Sequence, residues 1–96
     1  MATLTTKTIS AQNTFTDAVL TEGYFNLSIS GTFAATVTVQ RSWDATNWYD
    51  VDAYTAPTQE VGFDPEFTYY RAGVKTGAYT SGDVVIRFGS EDKEEH

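Results

Sequence analysis

Four aspartates (Asp44, Asp50, Asp52, Asp64) fall within residues 44–64 of this 96-residue chain, and four aromatic residues (Trp43, Trp48, Tyr49, Tyr54) crowd into 43–54. Carboxylates can do acid–base work when two of them face across a cleft and one is held protonated. Several oxygens brought together can hold calcium. Exposed rings can stack on sugars or anchor a protein partner. Asp50 and Asp52, two residues apart on a strand, are expected on one face, where they do not span a cleft. If the four aspartates met at one end of the fold they would offer calcium its ligands, but no loop has the acid spacing and glycine of a calcium-binding loop. The sole histidine is His96 and there is no cysteine. The common nucleophile–base pairs are therefore missing. Lys7, Lys75 and Lys93 sit in no serine–lysine motif. A non-enzymatic protein without metal or cofactor is the expectation.

The elements that hold these residues are strands. Phe25, Leu27 and Ile29 alternate, as do Phe33, Ala35, Val37 and Val39, and again Val84, Ile86 and Phe88. Helical spacing is absent, and the period is two. Turn residues break the runs at Thr21-Glu22-Gly23, Ser30-Gly31-Thr32, Ala56-Pro57-Thr58, Asp64-Pro65, Thr76-Gly77 and Thr80-Ser81-Gly82. Strands are predicted near 3–9, 14–20, 24–30, 33–42, 47–54, 58–62, 67–75 and 82–89. Their spacing indicates an all-β chain: one immunoglobulin-like antiparallel β-sandwich of seven or eight strands. The predicted core is Phe25, Leu27, Ile29, Val37, Val39, Val84, Ile86 and Phe88.

The aromatic cluster then falls on a hairpin. Asp44 opens its turn by accepting from backbone N–H groups ahead, and Asn47 suits the left-handed position. Alternation turns Tyr49 inward with Val51 and leaves Trp48 on the outer surface beside Asp50 and Asp52. Trp43 shares a face with Val37, Val39 and Arg41 unless twist rotates it out. Trp48 is thus the expected exposed ring. Ser42 and Asp44 also resemble part of an Asp-box hairpin, although Thr46 stands where that motif has glycine and Trp48 comes one residue early. Arg71 and Arg87, expected on neighbouring strands, could pair with Asp83, Glu66 or a second subunit.

Composition sets the remaining bounds. The formal net charge is −7, with 13 acids against 6 bases, which argues against a nucleic-acid surface. Residues 1–89 read as the sandwich domain, and 90–96, "SEDKEEH", as an acidic, solvated tail. No run resembles a signal peptide or a membrane helix, so synthesis in a cytoplasm without membrane association is expected.

The stretches "FNLSISGTFAATVTVQRSWDATNWYDVDAYT" (25–55) and "YYRAGVKTGAYTSGDVVIRFG" (69–89) are similar to small virion proteins of tailed bacteriophages and related gene-transfer particles. The resemblance implies a β-sandwich structural subunit of the virion, contacting capsid, neck or fibre proteins. A place on the head surface, as a decoration protein or the base of a head fibre or spike, is favoured over the tail. A homo-oligomer is expected, a trimer first, with the N-terminal strand 3–9 reaching a neighbour because it has little apolar content of its own. The rival is a carbohydrate-binding module using the rings around Trp43 and Trp48, and the two combine if a head-surface protein touches host glycans. Candidate partner or glycan contacts are Trp43, Trp48, Tyr54 and Arg71.

Overall fold

The computed structural model describes residues 2–91, with side chains for 5–21, 23–64 and 66–89. It contains nine strands: β1 (Ala2–Ile9), β2 (Thr14–Phe15), β3 (Val19–Ser30), β4 (Phe33–Ala35), β5 (Val37–Ser42), β6 (Tyr49–Tyr54), β7 (Thr58–Val74), β8 (Tyr79–Gly82) and β9 (Val84–Glu91). Every pairing between them is antiparallel. The expected antiparallel β-sandwich is therefore what the chain forms. The count rises to nine because the predicted strand 33–42 divides into β4 and β5, and β8 forms as a separate short strand. The reverse happens at 58–75, where two predicted strands merge into one 17-residue β7.

One sheet of seven strands, in the order β1-β9-β3-β7-β5-β6 with β2 beside β7, makes both layers. The first half of β7 pairs with β3, and its second half pairs with β5 and β2. The layers are thus β1-β9-β3-β7 and β2-β7-β5-β6, with β7 passing from one to the other. First strand beside last, with most connections passing between layers and only the β5–β6 hairpin staying within one, is a jelly-roll order within the general sandwich architecture. The ribbon of β4 and β8 adds Phe33, Ala35 and Tyr79 to the edge of the core.

The crossing of β7 is built into its sequence. Thr21 of β3 stands opposite Thr68, and Gly23 opposite Asp64. One residue on β3 therefore faces three on β7, and the surplus, Pro65-Glu66-Phe67, bulges and turns the strand. Asp64, 7% exposed, secures the turn. Its carboxylate accepts from the Glu66 N–H at 3.1 Å, from the Tyr70 hydroxyl at 3.0 Å and from Arg41 at 3.0 Å. Burial would push this carboxyl up, but the Glu66 N–H, the Tyr70 and Thr68 hydroxyls and the Arg41 charge outweigh it and hold it below the ordinary aspartate value. Read as a break, Asp64-Pro65 is instead a crease within a continuous strand.

The core lies between the layers. Seven of the eight predicted core residues are buried; Phe25 is half-buried and packs against them. Phe25 stacks on Phe88 and packs at a tilt against Tyr70, with centroids 5.4 and 4.5 Å apart, its ring lying over Gly62 directly opposite it on β7. Ile9, Val19, Tyr70, Ala72 and Val74 complete the interior. β1 pairs along its whole length with β9 of its own sheet, and Ile9 is fully buried. The N-terminal strand thus docks on its own sandwich as the edge strand of its layer, held by one buried isoleucine and a full ladder. β9 continues through Ser90 to Glu91, past the predicted end of the domain. Residues 92–96, including His96, lie outside the described residues.

Candidate functional site

The loop between β5 and β6 is held by its own polar groups. The Asp44 carboxylate accepts from the N–H groups of Thr46 and Asn47, both at 2.9 Å, and from the Ser42 hydroxyl at 2.8 Å. Its second oxygen takes the Asn47 amide at 2.8 Å, and the Ser42 oxygen accepts from the Ala45 N–H at 2.9 Å. These donors, led by the Asn47 and Thr46 N–H groups, hold the Asp44 carboxyl far below the ordinary aspartate value. The expected turn-opening role of Asp44 is what the geometry gives. The left-handed residue, however, is Ala45 at φ 61°, not Asn47. Asn47 contributes its N–H and side-chain amide to Asp44, and the sharp turn falls two residues earlier.

The two tryptophans lie on opposite faces of their layer. Arg41 stands opposite Tyr49, and Gln40 opposite Asp50. Trp48, on the outer face as expected, is half-buried instead of exposed. The Arg71 guanidinium lies 4.3 Å from its ring centroid and 4.2 Å from that of Phe15, so the cation is sandwiched between two aromatic faces. Arg71 also donates to Gln40 at 2.9 Å, Gln40 donates to Asp50 at 2.8 Å, and Lys75 pairs with Asp50 at 2.7 Å. Burial between the rings pushes the Arg71 pKa down, though an arginine stays charged at neutral pH. Phe15 reaches this position because Gly73 beneath it has no side chain: a Cβ there would meet the Thr14 and Phe15 backbone. Arg71 is thus engaged within its own layer and not with Asp83 or Glu66, and β3 lies between its strand and that of Arg87, so the two arginines are not on neighbouring strands as expected.

Trp43 and Tyr49 take the inner face, as alternation predicts, but 70% and 60% exposed. They lie where the opposing layer no longer covers that face. With Arg41, Ser42 and Val51 they line a shallow depression of about 310 Å³. Arg41 sits 5.5 Å from the Trp43 centroid while paired to Asp64, and its Nε is buried without a hydrogen-bond partner. The exposed ring is therefore Trp43, and the faces were legible where the burial was not.

Asp50 and Asp52 do not share a face. Asp52 stands opposite Val39 and Asp50 opposite Gln40, so Val51 is an extra residue in β6. This bulge turns Asp50 toward Gln40 and Lys75, and Asp52 toward the Tyr54 hydroxyl, which donates to it at 2.8 Å. Burial, then the Asp52 carboxylate, pushes the Tyr54 phenol up to about 12. Tyr54 lines a second cleft of about 230 Å³ between β6 and the first half of β7. Among the described residues, no group of three or more His, Cys, Asp or Glu is placed to hold a metal ion. The four aspartates serve a loop, an ion pair, a phenol and the β7 crease separately.

Of the four candidate contact residues, only Trp48 and Arg71 touch. The most exposed apolar surface lies elsewhere. On the outer face of the β3–β7 layer, Tyr24 packs on Phe63 with centroids 4.9 Å apart, and Val61, Phe67 and Leu20 accompany them. Their exposures run from 44% for Leu20 to 73% for Val61. The signal was available: Tyr24 alternates with core residue Phe25, so it must face out. Faces could not be assigned to 61–67 while Asp64-Pro65 was read as a break.

No protein-family model matches the chain, and no curated protein matches it. Among solved structures, the chain is similar to the Yersinia pseudotuberculosis-derived mitogen YPM, with a TM-score of 0.61 at 10% identity over 96% of this chain and 89% of that one. At that identity the likeness is one of fold.

Proposed function

We propose that this chain is a non-enzymatic structural subunit of a phage-like virion, carried on the head surface as a decoration protein or the base of a head fibre or spike. The observation that carries the reading is the exposed aromatic face of the β3–β7 layer. A contiguous apolar patch of several hundred Å² is often functional, and such patches mark docking surfaces. The aspartates are engaged in holding loops and strands, which suits a scaffold. The resemblance of residues 25–55 and 69–89 to small virion proteins supplies the setting. Its partners are capsid, neck or fibre proteins and further copies of itself. Electron microscopy of particles made without the subunit tests this: a regular surface feature should disappear and return on adding the protein back. Unchanged particles would reject the reading.

A second reading, a carbohydrate-binding module, is favoured by one feature, the depression between Trp43 and Tyr49 with Arg41 beside it. Reproducible glycan-array hits that vanish in Trp43→Ala would select it.

A further inference from the structure

We infer that the outer face of the β3–β7 layer is a self-association surface on which a second copy of this chain packs about a two-fold axis. The inference rests on the reading of the chain as an assembly subunit and names the contact it uses.

The register places Leu20 opposite Tyr69, Tyr24 opposite Phe63 and Asn26 opposite Val61, so these side chains form one outward surface along the two strands. Leu20, Tyr24, Val61, Phe63 and Phe67 expose on the order of 500 Å² of mostly apolar area, given roughly 150–250 Å² for a whole aromatic side chain. A stable interface takes about 800 Å² from each partner. The five would form its apolar centre, with Asn26, Gln59 and Tyr69 around them as a polar rim.

Charge favours a second copy as occupant. The chain carries a net charge of −7, so two copies repel through most of their surfaces. Among the described outward positions from 20 to 28 and from 59 to 69 at this period, none is Asp, Glu, Lys or Arg. Two copies can therefore approach through this face with little like-charge cost. The surface ends at the first half of β7, whose far edge is not paired with β5, since that pairing covers only residues 69–73. The other edge strands are defended by Lys7 on β1 and by Asp50 and Asp52 on β6. A two-fold pair takes the place of the trimer expected from sequence.

Sedimentation equilibrium of the full chain over a dilution series tests this, with Phe63→Asp, Phe67→Ser and Trp43→Ala as variants. The wild type should be a dimer. Phe63→Asp should raise the dimer dissociation constant at least ~100-fold, as burying like charges at a two-fold contact costs several kcal/mol. Phe67→Ser should weaken it in the same direction, and Trp43→Ala should leave it unchanged. Circular dichroism and thermal melts of each variant establish that the fold is kept; should Phe63→Asp not fold, Phe67→Ser carries the test. A wild-type monomer at millimolar concentration, a trimer, or a dimer indifferent to folded variants on this face would overturn the inference. A monomer that still restores the surface feature of deficient particles would sink this inference and leave the virion reading standing. A dimer broken by Phe63→Asp that never enters particles would do the reverse.

Discussion

Two outer faces of one strand, β7, behave in opposite ways. Along its second half, Arg71 and Gly73 face out and are roofed: Phe15 fills the space above Gly73, and Arg71 lies between Phe15 and Trp48. Even Gln40, on an outer face, is 7% exposed beneath this roof. Along its first half, Val61 and Phe63 face out and remain 73% and 55% exposed. The local alternation is the same in both halves. What differs is whether large side chains from flanking segments fold over the face, as Phe15 of β2, paired beside this half of β7, and Trp48 of the β5–β6 loop do. Burial on a sheet is decided by the third dimension of the fold, which alternation does not encode.

The largest expected effect comes from opening the roof. In Gly73→Ala the new methyl meets backbone at Thr14 and Phe15, which cannot give way as a side-chain tip would. Unfolding stability should fall by about 3 kcal/mol, read by urea denaturation. A loss under about 0.5 kcal/mol would mean β2 is not held against β7.

Next comes the crease that joins the halves. Asp64→Asn leaves Arg41 without its partner and should cost about 2 kcal/mol, reduced from the range for fully buried pairs because the arginine side chain is 32% exposed. Its pH counterpart has a definite sign. The Asp64 and Asp50 carboxyls titrate lower folded than unfolded, Asp64 held down against burial by the Glu66 N–H and its other partners, Asp50 by Lys75 and Gln40. Their stabilisation is complete above the unfolded aspartate value of about 4 and is lost as pH falls below it. Thermal melts between neutral pH and pH ~3 should show the midpoint dropping below ~4, with a smaller drop in Asp64→Asn.

The faces themselves are compared by a matched pair. Trp48→Ala removes the half-buried ring over Arg71 and should cost about 1.5 kcal/mol from cation–π contact and apolar burial. Phe63→Ala, of similar chemistry but exposed, should change the stability of the dilute monomer by no more than about 0.5 kcal/mol. Equal costs would erase the distinction between roofed and open faces. The smallest effect is at the loop: Ala45→Gly relieves a left-handed alanine and should stabilise by about 0.5 kcal/mol, visible as a slightly higher melting temperature.

Much of this was readable in advance. Strand alternation located the sandwich and most of its core, and placed Trp48 outward and Trp43 with Arg41. Three things were not readable, each for a physical reason. Asp64-Pro65 looks like a break because proline ends most central strands, yet at a two-layer crease it permits the bulge. The Val51 bulge separates Asp50 from Asp52, and a single extra residue leaves no mark on composition. The exposure of Trp43 and the cover over Trp48 depend on segments remote in sequence.

Hydroxyl-radical footprinting of the full chain, dilute and then concentrated, tests the contrast between the faces most directly. Tyr24, Phe63 and Phe67 should react readily when dilute and become protected on concentration, while Trp48 reacts slowly throughout and Trp43 stays reactive. Protection confined to Trp43 and Tyr49, or no change at Tyr24, Phe63 and Phe67, would contradict the account.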